Sequence, residues 1–160
     1  MINKRIVLVA PGAGGKDYLR SKFIEKGFAP SISYTTRPPR PGEVNGKDYH
    51  FIDHDTFQKM IAEGQFLEYM IFNTNWYYGT PLSEFLTKDV FIMTPEGIRN
   101  IPQDERKRTM IIYLDIPVEI RRERLAKRKD ADDANRRIGE DNKQFENFKE
   151  YDLRITNCDF

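Results

Sequence analysis

The sequence predicts an α/β fold built around a parallel sheet, and three observations carry that reading. The run from Arg5 to Val9 is continuously apolar after its first residue, the pattern of a strand buried on both faces. A glycine turn, Ala10-Pro11-Gly12-Ala13-Gly14-Gly15, then leads through Lys16 into a helical pattern, the order of a strand, a phosphate-binding loop and a helix. Short apolar strands go on alternating with helical stretches along the chain, which is how parallel sheets are connected.

The helix after the glycine turn runs from Gly15 to Lys26, with Leu19, Phe23 and Ile24 on its apolar face and Gly27 as its stop. Asn45-Gly46, inside Glu43 to Phe51, is a two-residue hairpin signal. Phe57, Met60 and Ile61 recur at helical spacing between Asp55 and Glu63, ahead of Gly64. Val90 to Met93 and Met110 to Leu114 are short apolar strands, and Pro117 opens a helix running to about Lys129. A polar break separates it from a last helix, about Asn135 to Phe148, and Leu153 to Ile155 closes the sheet.

At 160 residues the chain suits one domain, which buries roughly two-thirds of its unfolded surface. Its 26 basic and 25 acidic residues leave a net charge of +1, without the broad positive field that holds proteins on nucleic acid polymers. A small or locally anionic partner is expected instead. Cys158 is the single cysteine, so no internal disulfide forms, and the two histidines lack zinc-ligand spacing; a reducing compartment is expected. The apolar run Ile6 to Ala10 is too short to span a bilayer, so the sequence reads as soluble and cytoplasmic, with no membrane partner.

Two stretches carry chemistry. In a loop of the pattern G-x-x-x-x-G-K-[ST], backbone N–H groups and the lysine cradle phosphates, and the final hydroxyl serves magnesium. Residues 10–17 keep Gly15 and Lys16 but have Ala10 in place of the first glycine and Asp17 in place of the hydroxyl. Asp17 can act as a hard oxygen ligand for magnesium, favoured by the helix dipole, or it can crowd the phosphates; the sequence leaves both open. The second stretch, Ser31 to Ile52, holds Ser33, Arg37, Arg40, Glu43 and Tyr49 around Pro38, Pro39 and Pro41. Two guanidinium forks on a segment stiffened by prolines can grip one phosphate from two sides. The plainer alternative is a surface loop of solvated charges.

The stretch SYTTRPPRPGEVNGKDYHF, residues 33–51, closely resembles the nucleotide-monophosphate-binding segment of guanylate kinases. DTFQKMIAEGQFLEY, NWYYGTP, RLAKR, NRRI and YDLRITN extend the resemblance in order along nearly the whole chain. It implies a P-loop NTPase-type parallel sheet core, about residues 1–32 and 81–160, with a small GMP-binding insertion at about 33–80 and a short lid at about 128–137. The implied activity is transfer of the γ-phosphoryl group of Mg-ATP to GMP, and to dGMP, by a monomer or homodimer.

By the same resemblance, Ser33, Arg37, Arg40, Tyr49 and Tyr78 hold the GMP phosphate, Glu68 accepts from the N1–H and amine of guanine, and Thr80 offers a hydroxyl near O6. Gly12, Ala13, Gly14, Gly15, Lys16 and Asp17 would take the phosphates of ATP, with Asn157 beside its base. Lys16, Arg40, Arg128 and Arg137 would carry the catalytic charge, and Asp17 is the candidate metal ligand. Arg121, Arg122 and Lys129 are read instead as a solvated helix face.

The chain departs from the family pattern at Ala10 and Asp17, and at Ile92 and Thr94, where the family carries acidic residues. Its lid is short, and it stops at Phe160, just after the final strand. Ala10, Asp17 and Thr94 keep a rival reading open, a guanylate-kinase-like module that binds a nucleotide or a phosphorylated peptide without turnover. Lys16, Arg128 and Arg137 weigh against it, since a module for one phosphate has no use for a triphosphate clamp.

Overall fold

The computed structural model describes residues 5–72, 75–127 and 134–157. The first half of the chain gives β1 (Arg5–Val9), α1 (Lys16–Glu25), β2 (Tyr34–Thr35), β3 (His50–Phe51), α2 (His54–Ala62), β4 (Phe66–Phe72) and β5 (Trp76–Pro81). The second half gives α3 (Leu82–Thr87), β6 (Val90–Ile92), α4 (Pro95–Arg99), α5 (Gln103–Arg106), β7 (Thr109–Leu114), α6 (Val118–Ala126), α7 (Ala134–Phe145) and β8 (Leu153–Ile155).

One sheet is wholly parallel, in the order β6-β1-β7-β8. The pleat sends Val7, Val9, Phe91, Ile111 and Tyr113 to one face, where Phe85, Ile98 and Phe148 pack. Leu8, Val90, Ile112 and Leu114 go to the other, against Leu19 and Phe23 of α1. Both faces are covered, which is why β1 reads as an unbroken apolar run. Complete burial of a side chain such as Ile111 is worth roughly 1.5–3 kcal/mol, so the layers on either side fix the loop that leaves the end of β1. Arg5, at the start of β1, is 2 % exposed because Glu105 Oε2 accepts from its Nη1 at 2.7 Å and the Phe85 ring lies 4.1 Å away.

The other sheet has the order β3-β2-β5-β4. Its long antiparallel pair, β4 with β5, sets Glu68 opposite Thr80. Phe57 of α2 stacks on Phe66 with ring centres 4.5 Å apart. Gly79 permits that stack, since a Cβ there would lie 2.6 Å from Phe66. Asp53 caps α2 by accepting the Thr56 N–H at 2.7 Å.

Several expectations are corrected. Ile24 is 38 % exposed, because it lies about 100° round the helix from Phe23 and outside the stripe that Leu19 and Phe23 form. Asn45-Gly46 makes a turn without a hairpin: β3 is two residues long and runs parallel to β2. Gly46 donates to the Tyr49 carbonyl at 2.7 Å and Asn45 Oδ1 accepts the Phe51 N–H at 2.9 Å, so the loop is closed locally rather than by a strand partner. The last helix ends at Phe145, because Asn147 adopts φ +58° and returns Phe148 onto Tyr113. Arg121 is 5 % exposed on α6, held by Asp141 and the Ile116 carbonyl rather than by solvent. Among the described residues no helix is long and apolar enough to cross a membrane.

Candidate active site

A cleft opens between the carboxyl ends of the parallel sheet and the inner face of the second sheet. Its first wall is the glycine loop. Gly14 donates to the Pro11 carbonyl at 3.0 Å, and a Cβ on Gly14 would lie 2.8 Å from the Ala10 side chain, so the turn is as tight as glycine allows. Gly15 is the N-cap of α1 at φ +92° and supplies no capping side chain. The first N–H groups of the helix are therefore left for an anion, with the positive end of the dipole behind them. Gly12, Lys16 and Asp17 all line the cleft, Asp17 from the first turn of α1.

The opposite wall comes from the arginine-proline segment and the second sheet, with Ser33, Arg40, Tyr49 and Tyr78 facing the same space. Arg37 is placed differently. Its guanidinium is buried and forks onto Glu43, Nη1 to Oε1 at 2.9 Å and Nη2 to Oε2 at 3.0 Å, while Nε donates to the Tyr78 hydroxyl at 3.1 Å. Glu43 also accepts the Arg40 N–H at 2.6 Å, so one carboxylate organises both arginines. Burial works against the charge of Glu43, and the Arg37 fork and Arg40 N–H more than offset it, holding its pKa below the usual carboxylate value. Desolvation beside Tyr78 pushes the Tyr49 phenol up to about 12, so it stays protonated and able to donate.

The far end of the cleft is built from β4, β5 and α4. Thr80, almost fully buried, donates its hydroxyl to Glu68 Oε1 at 2.7 Å. Burial lifts the Glu68 pKa to about 7, opposed by the Thr80 hydrogen bond and aided by the Glu96 charge. Gly97 lets α4 approach, since a Cβ there would lie 2.9 Å from the Glu68 carboxyl carbon. Thr94 is the N-cap of α4, its hydroxyl accepting the Gly97 N–H at 3.1 Å. The threonine found where an acid was expected thus shapes the helix that packs on Glu68.

Of the remaining expected residues, Asn157 follows β8, is exposed and lies outside the cleft wall. Arg128 lies outside the described residues, and Arg137 is placed on α7 by its backbone alone. Arg20, Ser31 and Asp141 are among the polar residues of the cleft that sequence reasoning missed. Arg20, one turn beyond Lys16, lines the cleft and donates to the Ser31 carbonyl at 3.3 Å, and the buried Ser31 lines it too. Asp141 also lines it and accepts the Gly12 N–H at 2.8 Å. Its signal was there to find: an acid shares the helical stripe of Ile138 and Phe145, where an apolar residue belongs.

A lysine-bearing glycine loop between a central parallel strand and the first helix, opening on a cleft, defines a nucleotide-binding protein of the P-loop α/β class. Comparison with known proteins narrows the class. The family model for guanylate kinase matches residues 2–160. The guanylate kinase of Onion yellows phytoplasma is 37 % identical over 98 % of this chain and 80 % of its own length. That of Wolbachia pipientis is 33 % identical over 96 % of this chain and 82 % of its own. The crystal structure of guanylate kinase from Anaplasma phagocytophilum shares the fold, with a TM-score of 0.75 at 23 % identity, covering 99 % of this chain and 78 % of that one. The chain belongs to the guanylate kinase family.

Proposed function

We propose that this chain transfers the γ-phosphoryl group of ATP to GMP, giving ADP and GDP. The observation that carries the reading is a single cleft with a phosphate loop at one end and a buried carboxylate and hydroxyl, Glu68 and Thr80, at the other. An ionised Glu68 accepts from the N1–H and amine of guanine together, a pair of donors adenine lacks. The Thr80 hydroxyl spends its proton on Glu68 and so holds the carboxylate toward the base. None of these contacts reads the ribose, so dGMP is accepted alongside GMP.

The acceptor segment, about 33–80, holds the GMP phosphate with Ser33, Arg40, Tyr49 and Tyr78. Arg37 contributes through Tyr78, whose hydroxyl accepts from Arg37 Nε and gives its proton to the phosphate. The core, about 1–32 and 81–160, holds ATP at the glycine loop, Gly12 to Gly15, through the N–H groups that open α1, with Lys16 following the charge from the β- to the γ-phosphate. Asn157 borders its base, and the lid, about 128–137, brings Arg128 and Arg137 to the transferred group. GMP's phosphate is already anionic, so no strong base is required; alignment and electrostatic stabilisation supply the rate.

Magnesium fits the residues present. Among the described residues no group of three potential ligands exists, and Asp17 brings one hard carboxylate into the cleft beside the loop. One carboxylate with the nucleotide's own phosphate oxygens and water is a sufficient shell for this ion. When bound, it neutralises charge on the phosphate oxygens. A reducing, cytoplasmic setting suits the single cysteine and these substrates.

The acceptor assignment is tested by initial rates with ATP and GMP, AMP, CMP or TMP. GMP should be strongly preferred, and Glu68→Gln should erode that preference chiefly by raising KM for GMP. Efficient AMP or TMP turnover with negligible GMP turnover would overturn the assignment of the base site.

A further inference from the structure

Side chains from two helices hold the phosphate loop. Asp141 of α7 accepts the Gly12 N–H at 2.8 Å, and Arg124 of α6 donates to the Ala13 carbonyl at 2.9 Å. Arg121 of α6 stands 3.8 Å from Asp141; both side chains are less than a tenth exposed, and Arg121 Nε is anchored on the Ile116 carbonyl at 3.1 Å. Between the two bonds lies Ala13, buried, with φ +61°, a left-handed conformation that a side chain disfavours.

We infer that Asp141 is a positioning residue for the donor nucleotide, pinning the phosphate loop together with Arg124 so that Ala13 stays left-handed. Left to relax, Ala13 would leave the left-handed region and carry the N–H groups that open α1, at Gly15 and Lys16, away from the phosphates. The Asp141 bond holds the Pro11–Gly12 peptide and the Arg124 bond holds the Ala13–Gly14 peptide, so the chain is tied down before and after the strained φ of Ala13. A carboxylate at the edge of an anion site would ordinarily repel its ligand; the buried Arg121 beside it balances that charge. The role deepens the proposed function and rests on assigning the loop to ATP.

Asp141→Ala alone would strand the buried Arg121, so the comparison is made in an Arg121→Leu background. There Asp141→Asn keeps an acceptor for Gly12 and Asp141→Ala removes it. Arg121→Leu/Asp141→Ala should have a KM for ATP about tenfold above that of Arg121→Leu/Asp141→Asn, with KM for GMP within about twofold. Adding Ala13→Gly, which removes the strain, should recover most of the difference. Equal KM for ATP in the two double variants, or equal rises for both substrates, overturns the role. Should a double variant fail to fold, the melting-temperature shift that ATP gives Arg124→Gln decides: its loss with the GMP shift retained supports the clamp, and retention of both contradicts it. Lys16→Ala separates the two readings. If it leaves ATP use intact, the loop is not the donor site; if it abolishes ATP use while the double variants agree, the positioning role alone fails.

Discussion

With Glu68 as the proposed reader of guanine, base recognition is coupled to pH through one buried carboxyl. Its pKa of about 7, against a reference of 4.5, means that a large share of the free protein is protonated just below neutrality. Guanine needs the ionised form, so KM for GMP should fall about tenfold from about pH 6 to about pH 8, and Glu68→Gln should flatten that profile. Stability follows the same proton. Between pH 4.5 and about 7 the folded chain keeps a proton that the unfolded chain has lost, so stability falls as pH rises through that window, by on the order of 3 kcal/mol. Thermal melts should show this slope in the wild type and not in Glu68→Gln. At the loop, Asp17→Ser should raise the magnesium concentration for half-maximal rate several-fold. If serine leaves both magnesium affinity and rate unchanged, Asp17 is no ligand.

At the scale of elements, α4 is the part that fits the base end to its task. Gly97→Ala would drive a methyl group into the Glu68 carboxyl, and KM for GMP should rise roughly tenfold with KM for ATP unmoved. Thr94→Ala removes the cap and should cost about 1 kcal/mol in a denaturant titration. The segment between β2 and β3 behaves as a unit around Glu43, so Glu43→Gln should weaken GMP binding without touching the cleft's donor end. These elements differ in how far the sequence announces them. β1, β6 and β7 are buried on two faces and show as apolar runs, and α1 stops at Glu25, just ahead of Gly27 at φ +96°, as that glycine foretells. The strand β5 hides because Gly79 and Pro81 interrupt its pattern, and the reason for Gly79, the Phe66 and Phe57 rings packed against it, lies in other elements. Helices of five and four residues, α4 and α5, are too short to display a helical period.

Across the whole molecule, a parallel sheet presents a phosphate loop to a second sheet that carries the acceptor residues, and one cleft joins them. Lys16, Arg40, Tyr49, Glu68 and Tyr78, which short motifs single out, all line that cleft. Bonds across the tertiary structure were illegible: no local pattern ties Asp141 to Gly12, 129 positions away, or forks Arg37 onto Glu43 rather than toward solvent. The near-neutral chain also concentrates its charge in pairs such as Arg106 with Asp152 and Arg154 with Asp115, which leaves local fields rather than a net one to draw in anionic ligands. The activity proposed for this cleft is transfer of a phosphoryl group from ATP to GMP. It is tested most directly by following ADP and GDP together in a magnesium-containing reaction, with Lys16→Ala alongside. Equal amounts of the two products are expected in the wild type, with loss of both in Lys16→Ala; GMP binding without GDP formation would contradict the proposed activity and leave a binding module in its place.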